Sequence, residues 1–292
     1  MKAFPTYLHE GKDYSLPYYL AEQKRGKYQI SIEFYPAGAR LPVVSMRNAI
    51  FMGLKPTVLT LERPLGVHEL RENGHGIWMT TMPQEIEQHQ RQLNLMHGRV
   101  LVGGLGLGVA VAMLENNKNV KEIVVVEQTY EIMQMVSPWL TKRKTSTFRG
   151  DLYAYLKMAK KDGIKFDCAF YDIWCPTGER VLMEHVLPLR KASEGVVTGN
   201  IENWNEDEMI GQVYMHCQTA ALLADDKSMA HPVTTDEEMF RRIKEGNGLA
   251  WYFYKWMREQ KPSRSQVLKK AEEFRDDLKC PATLEKKWGV TI

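Results

Sequence analysis

The sequence predicts an α/β chain: a doubly wound sheet, preceded by a β-rich section and followed by a helical extension. Three observations carry this. Strand and helix patterns alternate from about residue 98 to 200. One strand there, Glu122–Glu127, holds the uniformly apolar run Ile123-Val-Val-Val126, which marks a strand buried on both faces. A glycine-rich turn, Gly103-Gly-Leu-Gly-Leu-Gly108, joins an apolar strand to a helix.

The order of elements follows. Tyr28–Tyr35 alternates, with Ile30, Ile32 and Phe34 on one face, and reads as a strand. Val43–Met46, Thr57–Leu61 and Gly76–Thr80 are further strands. A helix runs from Pro83 to about Leu95, with Pro at its start and Gln84 and Glu85 in its first turn. Arg99–Val102 is a strand and Gly106–Asn116 a helix. Glu122–Glu127, Thr145–Arg149 and Phe166–Ile173 are strands, with helices at Tyr130–Leu140, Leu152–Lys160 and Gly178–Ala192; Gly195–Thr198 begins another strand. Beyond about 201 the strands stop, and Asn205–Ala224, Thr235–Gln260 and Ser263–Leu278 read as helices. Thr234 or Thr235 caps one, Ser263 or Ser265 another. These patterns divide the chain at 1–82, 83–204 and 205–292.

Composition excludes several classes. Of 292 residues, 44% are hydrophobic and 26% charged, ordinary for a globular protein with a full core. Lys+Arg (39) nearly balance Asp+Glu (36), so total charge supports neither a nucleic-acid nor a membrane partner. Cys168, Cys175, Cys217 and Cys280 form no C-x-x-C pair, and no metal site is expected. Met1–Tyr14 lacks an apolar leader core, and Leu101–Leu114 is too short and glycine-rich to span a bilayer. A cytoplasmic setting is the expectation.

The glycine turn is the chemical centre. Glycine lets a ligand lie against the backbone, and N–H groups at the following helix start face it. The dinucleotide pattern G-x-G-x-x-G fails, because Val109 or Val111 stands at its third glycine. G-x-G-x-G is complete at Gly104, Gly106 and Gly108. Close strand–helix packing without a ligand is the other reading of such glycines. Glu127 ends the second strand nineteen residues after Gly108, where an acid binds ribose hydroxyls; Gln128 follows it. Asp151 ends the third strand, to contact an adenine amino group beside the Leu152 N–H, to cap the next helix, or both. Asp172 ends the fourth strand at the same rim, either facing a cationic ligand or nucleophile or bonding loop amides.

These residues resemble the class I S-adenosylmethionine-dependent methyltransferase superfamily over Met79 to Asn200, in particular its spermidine synthase-like branch. The resemblance rests on Val102 ahead of the glycines, on Asp172-Ile-Trp-Cys-Pro-Thr-Gly178 after the fourth strand, and on the preceding β-rich section. Ile77–Ile86 and the Asp-Ile-Trp triplet are also similar to small methyltransferase-like proteins of bacteriophages. The resemblance implies a Rossmann-like sheet and S-adenosyl-L-methionine as cofactor. It implies a cofactor site of Gly103, Gly104, Gly106, Gly108, Glu127, Gln128, Asp151, Leu152 and Asp172. Asp172 is the expected catalytic partner. Tyr171 and Trp174 are expected to shape an acceptor pocket, and Gln84, Glu85 and His89 to approach the methionine end.

Two departures matter: polyamine synthases carry acids where this chain has Leu107 and Cys175, so an aminopropyl acceptor site loses charge complementarity. Neither [N/D]-P-P-[Y/F] nor Pro-Cys follows the fourth strand, so methylation of nucleic-acid bases is unsupported. The expectation is a methyltransferase acting on a small-molecule or unidentified acceptor; altered aminopropyl transfer, or a non-catalytic adenosyl-binding protein with a partner-binding tail, are the alternatives. The aromatic run Trp251–Trp256 reads as core or as a homo-oligomer contact in preference to base stacking.

Overall fold

The computed structural model describes residues 8–9, 12–13, 20–140, 142–175, 178–225, 248–260 and 262–292. The chain forms two compact units. The first holds the sequence up to Ala49, Leu54–Cys175 and Ala192–Trp204; the second holds Ile50–Gly53, Pro176–Lys191 and Asn205–Ile292.

In the first unit, β1 (Leu8–His9) pairs with β2 (Lys12–Asp13). The strands β3 (Gln23–Arg25), β4 (Tyr28–Tyr35), β7 (Leu65–Glu72) and β8 (Gly76–Thr80) make an antiparallel sheet in that order. A second hairpin joins β5 (Arg40–Val44) to β6 (Thr57–Thr60). Strand β4 matches its alternating pattern through Ile30, which is buried. Phe34 departs from expectation and is 65% exposed, because its cross-strand partner is Gly66, which offers no side chain to pack on. Strand β7 escaped the sequence pattern, since Leu-Gly-Val-His-Glu-Leu-Arg-Glu reads as polar. It is nonetheless central and largely buried. Its polar side chains are paired: His68 Nε2–H donates to Leu20 O, Arg71 pairs with Glu69, and Lys27 pairs with Glu72.

The larger sheet is parallel throughout. Its strands are β9 (Gly98–Gly103), β10 (Val120–Glu127), β11 (Thr145–Arg149), β12 (Cys168–Tyr171) and β13 (Ile201–Asn203), in the order β11-β10-β9-β12-β13. Its helices include α2 (Pro83–Leu93), α3 (Val109–Asn116), α4 (Tyr130–Val136) and α5 (Leu152–Lys161), numbered after α1 (Met46–Met52). This is a Rossmann-like α/β sheet. Val100, Leu101, Val102, Ile123, Val125, Cys168 and Ala169 are fully buried, as the uniformly apolar runs require. Each Val or Leu so buried contributes roughly 1.5–3 kcal/mol. The strand order reverses between β9 and β12, which creates a crevice beyond their carboxyl ends. The helix expected from Gly106 starts only at Val109, because Gly108 adopts a left-handed φ of 79° before it. The strand expected at Gly195–Thr198 is a bridge from Val197 to Phe166, and the ladder itself lies at Ile201–Asn203.

In the second unit, the helix expected over Gly178–Ala192 is broken into Glu179–Val181, a wide turn at Leu182–Val186, and Leu187–Ser193. Pro188 explains the break: it lacks an N–H, and its ring crowds the carbonyl four residues earlier. Helices follow at Glu206–Asp225, Leu249–Gln260 and Arg264–Asp277, the last begun by a Ser263–Gln266 capping box. Thr234, Thr235 and the start of the helix expected there lie outside the described residues. The aromatic run serves as core: Phe253 is fully buried, with Phe274 and Trp288 rings 5.8 and 6.2 Å away. No helix among the described residues is long and apolar enough to cross a membrane.

Candidate functional site

A cavity opens at the crevice, wholly within the first unit. Gly104, Gly106, Glu127, Gln128, Asp151, Leu152, Asp172 and Trp174 line it, so the structure brings eight of the sequence-derived residues together. Tyr28, Leu70, Trp78 and Met79 of the small sheet also line it, with Thr129, Ile132, Gly150 and Ile173. Those contributions were illegible in sequence, because a pattern on β8 does not say which other strand it will face.

The glycine turn is held by its neighbours. Gly104 has φ of 89°, and a Cβ there would lie 2.1 Å from the backbone oxygen of Asp172. Its N–H donates to Val126 O, and the Asp172 N–H donates to Gly103 O. The missing side chains thus let β9 and the loop after β12 touch, as well as leaving room for a ligand. At Gly106, φ is 50° and a Cβ would meet the Met79 sulfur at 2.7 Å. The Gly106 N–H has no hydrogen-bond partner among the described residues and borders the cavity. Gly103 and Gly108 do not line the cavity. Gly103 is packed under Leu152 and Tyr171, and Gly108 starts α3.

Glu127 is buried and accepts from two backbone N–H groups, Leu105 at 2.8 Å and Thr129 at 2.7 Å. One carboxylate thereby ties the glycine turn to the end of β10. Each oxygen keeps a second lone pair for a ligand hydroxyl. Asp151 accepts from Ala154 N at 2.8 Å, so it caps α5 while also bordering the cavity.

Asp172 differs from both. Its carboxyl has no hydrogen bond among the described residues and faces the cavity. Burial pushes it up to about 8, helped by the negative charges of Glu85 and Glu127. Glu85 does not line the cavity. It accepts from Thr80 N and Thr80 Oγ1, at 2.9 and 2.6 Å, and burial raises it to about 7. It acts on the site through charge and by fixing the end of β8. Among the described residues no Lys, Arg or His side chain lines the cavity, while three carboxylates do. Such a wall favours a cation. The described residues contain no group of three or more His, Cys, Asp or Glu able to hold a metal ion.

Three further expectations are corrected. Tyr171 is fully buried and its hydroxyl meets Ser193 Oγ at 2.8 Å, because strand alternation turns it into the core. His89 is packed between Phe170 and Trp204, its Nδ1–H donating to Glu85 O, and burial lowers it to about 4, so the ring is neutral. Gln84 is half-buried on α2 and does not reach the cavity. Trp174 does, and its indole N–H is buried without a hydrogen-bond partner among the described residues.

No protein-family model matches the sequence, and no curated protein does. Partial fold overlaps occur with solved structures. Human methyltransferase-like protein 13 in complex with SAH overlaps 39% of this chain and 56% of its own, at 16% identity and a TM-score of 0.30. Spermidine synthase from Thermotoga maritima overlaps 50% and 58%, at 12% and 0.31. MNMC2 from Aquifex aeolicus overlaps 45% and 53%, at 17% and 0.31. The matched parts thus span little more than half of those chains, and overlap at this level transfers no activity.

Proposed function

We propose that the chain binds S-adenosyl-L-methionine at this crevice and transfers its methyl group to an acceptor held beyond Asp172. The observation that carries the reading is a cavity at the switch point lined by Glu127, Asp151 and Asp172 and, among the described residues, by no basic side chain. A sulfonium nucleoside supplies the complement: hydroxyls for Glu127, an exocyclic amine for Asp151, and positive charge for Asp172. In the transfer, the acceptor's lone pair forms a bond to the methyl carbon as the carbon–sulfur bond breaks. That electron pair stays on sulfur, leaving a neutral thioether. Holding the two reactants in line supplies most of the acceleration. Asp172, ionised once a cation neighbours it, accepts the proton an N–H or O–H acceptor releases.

The same carboxylates favour a second reading. A decarboxylated sulfonium donor is more cationic still, and would give aminopropyl transfer. Calorimetry separates these, using S-adenosylmethionine, its decarboxylated form and NAD. The expected order puts S-adenosylmethionine first and NAD without detectable binding; tighter binding of the decarboxylated donor favours the second reading. Glu127→Ala is expected to weaken S-adenosylmethionine by about 10- to 100-fold, the worth of charge-assisted hydrogen bonds lost from ribose and turn. Unchanged affinity removes Glu127 from the site.

A further inference from the structure

Strand β8 is built unlike the rest of its sheet. It is an edge strand, paired among the described residues with β7 alone. Its register shifts between the pairs Leu70–Met79 and Arg71–Ile77, leaving Trp78 as an extra, bulged residue. Such bulges bend a strand and re-aim a side chain. Here Trp78 and Met79 line the cavity, while Trp78 and Ile77 remain 38% and 39% exposed. The strand's end is anchored firmly, by Glu85 on Thr80 and by reciprocal bonds between Thr81 and His68. The bulge is flanked instead by two sulfur contacts. The Cys175 thiol donates to Ile77 O at 3.2 Å, and the Leu107 N–H donates to Met79 Sδ at 3.2 Å. The thiol stays protonated, since burial and the charges of Asp172 and Glu85 push it up. Sulfur is a weak donor and a weak acceptor, so both fastenings open at low cost.

We propose that β8 is a displaceable strap over the cavity, latched by the Cys175 and Met79 sulfurs, whose opening governs ligand exchange. The proposal rests on the adenosyl reading for its ligand but not for its mechanics. Each latch joins the strap to a part of the site: Cys175 to the loop after Asp172, Met79 to the glycine turn. Opening at Ile77–Met79 exposes Gly106 and Asp172 together, with Thr80 as the fixed end.

The test is stopped-flow tryptophan fluorescence of S-adenosylhomocysteine binding, with hydrogen exchange at residues 77–79. The proteins are the full chain, Met79→Leu, Cys175→Ala and the double variant. In the double variant, association and dissociation are expected to quicken by about tenfold. In Cys175→Ala, at a residue that does not line the cavity, they are expected to quicken together by about threefold, with affinity changed less than about threefold. Exchange at 77–79 is expected to rise in parallel, and Cys175→Ser to restore the slower rates. Unchanged rates and exchange overturn the strap. Faster dissociation with unchanged association also overturns it, since the sulfurs then contact the ligand. If the double variant does not fold, each single variant is expected to show about a threefold effect. If no adenosyl probe binds even the unaltered chain, the adenosyl reading fails. Hydrogen exchange then decides the strap alone.

Discussion

Asp172→Asn is expected to lower methyl transfer by about 100-fold or more, the usual range for a lost proton acceptor, while making the protein more stable. Both effects follow from a carboxyl held at about 8 beside Glu85 and Glu127, with no hydrogen bond among the described residues. Its folded pKa lies above the unfolded value, so the folded state binds the extra proton. Stability is therefore full at low pH and falls as pH rises through about 8. The substitution should raise stability by roughly 1–3 kcal/mol at pH 9 and much less at pH 5, read from urea unfolding at the two pH values. Ligand binding should show the opposite sense. A sulfonium cation favours the ionised carboxylate, so affinity rises with pH up to about 8, and binding at pH 7 releases protons. Calorimetry in buffers of different ionisation enthalpy measures that release. Equal stability of Asp172→Asn and the unaltered chain at both pH values would remove the charge argument.

Gly104→Ala is expected to cost about 3–5 kcal/mol, combining left-handed strain with a forced clash. The clash is with backbone: the Asp172 oxygen lies 2.1 Å from the added carbon and cannot rotate away. Moving it would shift the loop that carries Asp172, so activity should fall further than stability alone predicts. Gly106→Ala makes a useful contrast. Its added carbon meets the Met79 sulfur at 2.7 Å, the end of a flexible side chain, so the cost is expected near 1–2 kcal/mol. Urea midpoints of the two variants check the order. Equal costs would show that φ alone, and not the contact with Asp172, sets the requirement for glycine.

Much of the sheet was legible because its strands are buried on both faces, where continuous Val, Ile and Leu leave little ambiguity. Thr145–Arg149 was read to the residue even though it is an edge strand. Less legible were elements that depend on partners far along the chain. Strand β7 hides its burial behind His68 and Glu72, whose partners Leu20 and Lys27 no local pattern reveals. Phe34 looked inward because its neighbours do, and Gly66 opposite it decided otherwise.

The candidate site divides in the same way. Sequence alone placed Gly104, Gly106, Glu127, Asp151 and Asp172 at one rim, because each ends a parallel strand, or follows one, and parallel strands end together. It could not tell Tyr171 from Trp174, or show that Gln84, Glu85 and His89 stay off the cavity, since which side of a chain faces a cavity depends on what packs behind it. Only the tertiary structure put Trp78 and Met79 of β8 across from the glycine turn. Only it buried Asp172 beside the carboxylates of Glu85 and Glu127, and this burial and charge, not the residue's identity, raise its proton affinity. Local spacing determines which residues reach the rim; three-dimensional burial determines the charge they carry there.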